Sequence, residues 1–261
     1  LPMRIARFTP PKEISSSPLF GVVTGDEIEI LTGDPLYSGI TKTGEKVSLK
    51  AVKLLAPVIP RSKVVCVGKN YADHAKEMDS VVPEQPVIFI KPNTSVIGPE
   101  DAIVWPAMSK KVDHEAELAI VIGKICKEVP KEKVNDVIFG YTIGNDVTAR
   151  DLQKVDGQWS RAKGFDTFCP LGPWIETELD PSDLAISAEV DGQLRQNDRT
   201  SSMIFDIPTI IHFISQVYTL LPGDVILSGT PAGVGEIPVG SNVSITVEGI
   251  GTLTNHVVAH V

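Results

Sequence analysis

Two acidic motifs are the residues of this sequence whose types and spacing could do chemistry. Glu115 and Glu117 open an apolar, β-branched run that extends to Ile122, so a strand would place both carboxylates on one face. Asp146 ends a second apolar run, which begins at Tyr141. Three converging carboxylates would form a site for a hard divalent cation, because such ions prefer oxygen ligands. Taken alone, the acidic pair is more typical of a solvated strand end, and Asp146 could simply cap a helix.

A histidine and a glutamate three positions apart could supply proton transfer beside such a site. The pattern predicts a short polar helix over 72–78, in which His74 and Glu77 would face the same side. A histidine whose tautomer is fixed by a carboxylate is suited to act as a general base. An isolated pair of this spacing is more often incidental to a surface helix, so both interpretations stay open on this motif alone.

A lysine in an aromatic segment is a further candidate. Lys163 lies within 159–167, a segment too aromatic for an ordinary exposed loop. A lysine placed there could bridge acidic metal ligands and stabilise an enolate. The alternative, a surface lysine whose aliphatic stem packs on apolar neighbours, fits the pattern equally well.

Other catalytic motifs are weak or absent in the sequence. Residues 228–235 (SGTPAGVG) lack the Gly-Lys-Ser/Thr ending of a phosphate-binding loop, although their amides and the Thr230 hydroxyl could receive a carboxylate. There is no Gly-x-Ser-x-Gly motif, and Cys66, Cys126 and Cys169 form no Cys-x-x-Cys pair. A serine nucleophile, a zinc site and a disulfide framework are therefore disfavoured.

Composition restricts the class of partner. The 261 residues carry a formal net charge of −9, which argues against nucleic acid and anionic membranes, since both select basic surfaces. A small anionic substrate would need local cations at its site. No apolar stretch reaches the roughly 20 residues that span a bilayer, and the sequence opens without a signal-peptide pattern. A cytoplasmic location is expected.

The sequence pattern predicts an α+β protein that is mostly β, in two parts. Residues 1–57 alternate short strands with turns and form a small β-rich module, and two prolines mark the joint to a larger part, 58–261. There we expect helices at 72–78, 131–135 and 207–219, and strands near 63–68, 87–91, 115–122, 139–145, 185–190, 224–228 and 243–248. Because regular helices do not separate the strands, a mixed, mostly antiparallel core is expected rather than a doubly wound sheet.

Taken together, the motifs resemble those of the fumarylacetoacetate hydrolase family, from about residue 58 to residue 257. Several motifs in one order are far more specific than any one of them. The matching pieces are VGKNYADH (67–74), KPNT (91–94), HEAEL (114–118), NDVTARDLQ (145–153), AKGFD (162–166), LPGD (221–224) and SGTP (228–231).

This resemblance implies a fold, a cofactor and a set of site residues. The fold would be the mixed β-roll or sandwich core of the family's C-terminal domain, usually in a homodimer. Mg²⁺, with Mn²⁺ or Ca²⁺ as alternatives, would be held by Glu115, Glu117 and Asp146. His74 and Glu77 would form an acid–base pair on a lid helix, and Lys163 would lie beside metal and substrate. The implied substrate contacts are Lys69, Tyr71, Gln153 and Thr230.

The resemblance also implies a reaction class. The enzyme would act through a metal-stabilised enolate on a small 2-oxo or 2-hydroxy-enoic diacid, by decarboxylation or by keto–enol or double-bond isomerisation. Oxaloacetate and the dienoates of aromatic-acid breakdown are the expected substrates. One alternative is an acylpyruvate-type carbon–carbon hydrolase, and another is a non-catalytic metal-binding protein on the same fold. The name-giving hydrolase has a fourth acidic ligand upstream that has no counterpart here, so its own reaction is not implied.

Overall fold

The computed structural model describes residues 2–261, and strands form most of its regular structure. In chain order, strands β1 to β20 are Arg4–Thr9, Leu19–Thr24, Glu27–Leu31, Lys42–Ser48, Lys53–Leu55, Val64–Gly68, Val87–Lys91, Val96–Ile97, Ala102–Trp105, Val112–His114, Ala116–Ile122, Ile138–Asn145, Thr148–Ala149, Cys169–Glu176, Ala185–Val190, Gln193–Arg199, Val225–Leu227, Gly235–Glu236, Asn242–Val247 and Gly251–Ala259. Helices α1 to α5 are Pro35–Ser38, Ala72–Glu77, Arg150–Asp156, Ser160–Gly164 and Ile207–Val217. Short 3₁₀ turns cover Leu49–Ala51, Asn93–Ser95, Lys131–Asp136 and Thr200–Ser202. The predicted mostly β, α+β class is confirmed.

The largest sheet runs in the order β4-β3-β2-β1-β14-β12-β11-β17-β6-β7, with β5 added on β1 and β8 on β14. Its pairings are antiparallel except those of β17 with β6 and of β14 with β8. The N-terminal strands join this sheet through β1 and β14, where Arg4 lies opposite Glu176. The strands of residues 1–57 and those of the larger part therefore share one continuous sheet.

Strand β11 carries the first acidic motif and is buried on both faces. Leu118 and Ile120 belong to the main core, whereas Ala119 packs into the cluster on the other side of the sheet. Burial on both faces explains why the sequence of β11 is a nearly continuous apolar run instead of an alternation. Its antiparallel partner is β12, with Ala116 opposite Asn145, so the two acidic motifs meet at one end of the pair.

A second sheet, in the order β16-β15-β19-β20-β9, completes the main core, and a three-stranded sheet, β13-β10-β18, lies next to the acidic motifs. Ile186, Ile245 and Leu253 of the second sheet share one buried cluster with Leu118 and Ile120 of β11. Two sheets that bury a common apolar layer form the sandwich-like core expected from the sequence.

The helices agree less closely with the sequence predictions. Helix α5 begins as predicted, with the Asp206 carboxylate accepting the Thr209 N–H, but it ends at Val217 and not at residue 219. The helix predicted at 131–135 is a 3₁₀ turn, because so short a segment gains too few helical bonds to hold an α-helix. Helices α3 and α4 were not predicted, and both carry site residues. Within residues 2–261, no helix combines the length and apolar character needed to cross a membrane.

Candidate metal centre and active site

Three carboxylates meet where β11 and β12 lie side by side. Glu115 stands between β10 and β11, Glu117 is the second residue of β11, and Asp146 directly follows β12. The Asp146 N–H donates to the Glu115 carbonyl at 3.0 Å, which continues the pairing of the two strands. All three side chains are buried, and one oxygen of each lies within 4.8 Å of the others. The structure thus brings together the three predicted ligands as a group that could hold one metal ion.

Lys163 lies against two of these carboxylates. It is buried in α4, and its Nζ donates to Glu115 Oε2 at 2.9 Å and to Asp146 Oδ2 at 2.8 Å. Burial disfavours the ammonium, but the charges of Asp146 and Glu115 outweigh it and raise the pKa of Lys163. The lysine therefore carries its positive charge at neutral pH. This placement agrees with the sequence expectation of a lysine that bridges the acids.

Two further cations touch the carboxylates and were not among the predicted site residues. Lys91, the fully buried last residue of β7, donates to Asp146 Oδ1 at 2.5 Å. Arg150, at the start of α3, donates to Glu115 Oε1 at 2.7 Å and to Asp113 Oδ2 at 2.8 Å. Both residues lie inside motifs of the family resemblance. Their partners are 55 and 35 positions away in sequence, so no local pattern could have paired them.

Glu117 is the least compensated carboxylate of the three. Its Oε2 accepts the Gly229 N–H at 2.9 Å, and within residues 2–261 it forms no ion pair, unlike its two neighbours. Burial, together with the charges of Asp146 and Glu115, raises the pKa of Glu117 well above its usual range. A buried carboxylate without a cation is costly, and a divalent ion among the three acids would supply the missing charge. The donor set therefore fits a hard divalent cation.

Glu115 shows the opposite behaviour only two residues away. Burial again disfavours its ionised form, but Lys163 and Arg150 outweigh that effect and hold the pKa of Glu115 below its usual range. Each of its two oxygens accepts a hydrogen bond from one of these cations. The pKa values of these two glutamates are therefore shifted in opposite directions, upward for Glu117 and downward for Glu115.

The predicted acid–base pair is present in α2. His74 Nδ1 lies 3.2 Å from Glu77 Oε2, and the Glu77 carboxylate also accepts the Gly233 N–H at 3.1 and 3.2 Å. His74 is buried and lines the same cavity as the metal-ligand candidates. Glu77, held by the glycine-rich loop of residues 228–235, thus fixes the orientation of the imidazole.

The three carboxylates line one cavity together with His74 and Lys163. Its volume is about 180 Å³, smaller than the roughly 300–1,000 Å³ of drug-sized ligand sites. The cavity is lined by the three acids and by four cationic residues. The cationic residues are Lys69, Arg150, Lys154 and Lys163. Trp159 closes one side, with its ring edge-on to Phe89 at 5.2 Å. A protein of net negative charge therefore presents the local cations that a small anionic substrate needs.

Three of the four predicted substrate contacts line this cavity. They are Lys69, which adopts a left-handed φ of 58°, Gln153, which accepts from Arg150 Nη1 at 2.8 Å, and Thr230. The fourth, Tyr71, is not in the cavity wall. Its ring is buried just before α2, and its hydroxyl has no hydrogen-bond partner within residues 2–261.

Two protein families match the chain. Residues 63–258 match the family described as fumarylacetoacetate (FAA) hydrolase C-terminal, and residues 3–57 match the family described as Rv2993c-like, N-terminal.

Characterised proteins and solved structures are similar over most of the chain. The crystal structure of 5-carboxymethyl-2-hydroxymuconate delta-isomerase from Mycobacterium smegmatis is 53% identical and superposes with a TM-score of 0.91, covering 99% of this chain and 100% of that one. Oxaloacetate tautomerase Fahd2a, mitochondrial, of Rattus norvegicus is 45% identical over 218 residues, 79% of this chain and 70% of that protein. Maleylpyruvate hydrolase from Sphingobium sp. SYK-6, solved with manganese(II) and pyruvate, is 33% identical with a TM-score of 0.82, covering 99% and 100%.

Proposed function

The chain belongs to the fumarylacetoacetate hydrolase family, and from this premise we propose that it is a divalent-metal-dependent isomerase or tautomerase of small 2-oxo acids. The observation that carries the proposal is the meeting of three buried carboxylates with Lys163 and His74 in one cavity. The similarity to a muconate delta-isomerase and to an oxaloacetate tautomerase supports the reaction class.

Glu115, Glu117 and Asp146 would hold the metal, for which we propose Mg²⁺. The related maleylpyruvate hydrolase was solved with manganese(II), so Mn²⁺ is the first alternative, and Ca²⁺ is the second. A bound divalent ion would withdraw electron density from the 2-oxo acid and so acidify the carbon next to its carbonyl.

Lys163 would stabilise the charge that develops on the C2 oxygen of the substrate. Its ammonium lines the cavity and is held in place by Glu115 and Asp146. A positive group that is already oriented in a buried site stabilises a developing oxyanion more than one that must reorganise. Lys69 and Lys154 add positive charge to the same cavity and would favour entry of an anion.

His74 would move the proton. It would take a proton from C3, whose electron pair then forms the C2–C3 double bond while the charge passes to the C2 oxygen. Return of the proton to that oxygen gives the enol, and return to a more distant carbon of a dienoate gives the shifted isomer. The reaction consumes neither water nor an oxidant, so these residues suffice for the proton balance.

The other predicted activities have less support. Carbon–carbon hydrolysis is favoured by one observation, the similarity to maleylpyruvate hydrolase at 33% identity. Decarboxylation, which the sequence favoured equally with isomerisation, has no such relative among these three. A non-catalytic metal-binding protein would not need a histidine in its cavity that is oriented by a glutamate, as His74 is by Glu77. The homodimer and the cytoplasmic location remain predictions.

The proposal is tested by following the enol and keto forms of oxaloacetate with Mg²⁺ or Mn²⁺ present and after treatment with EDTA. We expect tautomerisation to depend on the metal. Loss of a metal ligand should lower the rate of tautomerisation by at least about 100-fold, which is more than the loss of a residue that only supports a ligand. Glu117→Gln is the test and Glu132→Gln, on the exposed 3₁₀ turn, is the matched control. Unchanged turnover in Glu117→Gln would exclude the metal assignment, and pyruvate as a stoichiometric product would instead indicate decarboxylation.

A second substitution separates an enzyme from a metal-binding protein. His74→Ala should lower tautomerisation by roughly 10²–10⁴, the contribution typical of a positioned general base. Because His74 is not among the carboxylate ligands, the affinity for Mn²⁺ should stay as in the parent protein. Equal turnover in His74→Ala and in the parent protein would show that His74 takes no part in the reaction.

A further inference from the structure

Gln196 is a fully buried side chain in an otherwise exposed strand, and it contacts both the metal-ligand strand and the glycine-rich loop. Within β16, Gln196 alone is buried, and its relative exposure is 0%. The pairing of β15 with β16 shifts register next to it: Ala188 faces Gln196, but Glu189 faces Leu194. Such an irregularity re-aims side chains, and here the amide points away from solvent toward the cavity wall.

The hydrogen-bond partners fix which way this amide faces. The Ala116 N–H can only donate, and it lies 2.9 Å from Gln196 Oε1. The Pro231 carbonyl can only accept, and it lies 2.7 Å from Nε2. Each of these two partners independently shows that Oε1 faces β11 and that Nε2 faces the loop. His114, whose Nδ1 lies 2.9 Å from Oε1, must then donate from Nδ1.

This orientation determines what the Thr230 hydroxyl can do. Gln196 Nε2 donates to Thr230 Oγ1 at 2.7 Å, so the hydroxyl proton cannot point toward Gln196. In this structure the proton goes to the Ala116 carbonyl at 2.8 Å. The remaining direction for it is the cavity, whose wall includes Thr230. Accepting one hydrogen bond also makes a hydroxyl a better donor.

We infer that Gln196 is a positioning residue that leaves Thr230 as a hydrogen-bond donor to the carboxylate of a bound 2-oxo acid. The inference rests on the proposed function, because it needs an anion in the cavity. On binding, the Thr230 proton turns from the Ala116 carbonyl to the substrate, while Gln196 continues to donate to the oxygen. Gln196 itself touches neither substrate nor metal.

The neighbouring loop contacts support a fixed position for Thr230. Gly233 passes so close to β16 that an added Cβ would lie 2.2 Å from the Arg195 carbonyl oxygen. The Gly233 N–H donates to Glu77, and the Gly229 N–H donates to Glu117. The loop is thus held on both sides of Thr230, and Gln196 controls the direction of the hydroxyl rather than the path of the backbone.

The test measures the affinity of pyruvate, at saturating Mn²⁺, by calorimetry. Thr230→Val removes the hydroxyl at constant shape and should weaken pyruvate binding about tenfold, since a hydrogen bond to a charged group is typically worth that factor or more. Thr230→Ser keeps the hydroxyl and should therefore restore most of the affinity that Thr230→Val loses. Gln196→Glu keeps the acceptor for Ala116 and His114 but draws the Thr230 proton toward itself. It should therefore lose about as much pyruvate affinity as Thr230→Val does.

Coupling and a control distinguish positioning from a merely structural role. The double variant of Gln196→Glu with Thr230→Val should be no weaker than either single variant, because both remove the same donor. Asn255→Leu removes another buried amide that bonds two carbonyls, Gly98 and Asp101, and should lower the melting temperature without changing pyruvate affinity.

Three outcomes would overturn the inference or the function beneath it. Parent-like pyruvate affinity in Gln196→Glu, or fully additive losses in the double variant, would overturn the role of Gln196 and leave the proposed function standing. If Gln196→Glu does not fold, Thr230→Val still tests the inference. Unchanged pyruvate affinity in Thr230→Val would show that the Thr230 hydroxyl does not donate to pyruvate, so Gln196 would have no donor to direct. A parent protein that binds no pyruvate with Mn²⁺ would instead contradict the proposed function itself.

Discussion

Two buried carboxylates, one at the start of β11 and one just before the adjacent β17, show how a structural charge differs from one that awaits a ligand. Asp224, just before β17, is fully buried and accepts from the Ser62 hydroxyl at 2.5 Å, the Lys63 ammonium at 2.8 Å and the Leu221 N–H at 2.9 Å. Glu117, in the adjacent β11, is as deeply buried, but among residues 2–261 it accepts only the Gly229 N–H. Each buried charge needs several donors to offset its lost hydration.

The difference is in how completely the chain itself satisfies each carboxylate. All of the donors to Asp224 come from nearby segments of the fold, and the bonds tie the start of β6 to the turn before β17. The surroundings of Glu117 include two other acids, and within residues 2–261 the nearby cations form their ion pairs with those acids and not with Glu117. Asp224 should therefore matter for stability alone, and Glu117 for metal binding.

The largest expected effect is a contrast in unfolding free energy between two isosteric substitutions, Asp224→Asn and Glu117→Gln. Asp224→Asn should cost about 3 kcal/mol of unfolding free energy, because it leaves the Lys63 ammonium without its buried partner. Glu117→Gln, measured without metal, should be neutral or stabilising, because a neutral amide replaces a poorly solvated carboxylate. Denaturant titrations with EDTA present measure both. Equal destabilisation by the two changes would show that Glu117 is as structural as Asp224.

A smaller loss of stability should follow when Asp146, whose carboxylate is paired with two lysines, loses one of these cations. Lys91→Met removes the cation on Asp146 Oδ1 but leaves Lys163 on Oδ2. We expect about 2 kcal/mol of lost stability without metal, less than for a pair broken completely. Saturating Mg²⁺ should restore part of it, because the ion supplies charge to the same carboxylate.

The comparison for this variant is the metal-dependent gain in melting temperature. That gain should be larger in Lys91→Met than in the parent protein. A gain that is unchanged would indicate that Asp146 takes no part in metal binding. Asp224→Asn serves as the control, since its stability deficit should be the same with and without Mg²⁺.

How much of this site is predictable depends on sequence separation. Glu115, Glu117 and Asp146 could be grouped because each borders an apolar run, and His74 with Glu77 because helical spacing joins them. The partners of Lys91 and Arg150 are set by sheet order and by an unpredicted helix, which a local pattern does not encode. The motifs of the family resemblance included both residues without assigning them a role.

The fold follows the same rule. The strand at 115–122 was predictable because burial on both faces leaves an apolar run, and β11 covers Ala116–Ile122. Strand β16, by contrast, is polar except for the exposed Leu194, and Gln196 is its one buried residue, so its sequence resembles a loop. Its one buried amide could not be recognised before the register of β15 and β16 was known.

The smallest predicted effect is a pH dependence that separates the two glutamates of the acidic pair. Since burial raises the pKa of Glu117 in the folded protein, its contribution to stability is fully present below its unfolded pKa of about 4.3 and is lost as the pH rises through the raised value. Glu115, whose folded pKa is lowered, contributes stability above that unfolded pKa and loses it only as the pH falls further. Above about pH 5, the metal-free protein should therefore lose stability gradually with pH, whereas the Mg²⁺-loaded protein should not.

The same proton makes metal binding pH-dependent. Below the raised pKa, Mg²⁺ must displace a proton from Glu117, so its affinity should rise by up to about tenfold per pH unit and then level off. Calorimetry in two buffers of different ionisation enthalpy measures the proton released. Glu117→Gln should abolish the release, and Asp224→Asn should keep it. Binding without proton release in the parent protein would mean that Glu117 is already ionised, and the contrast with Asp224 would then fail.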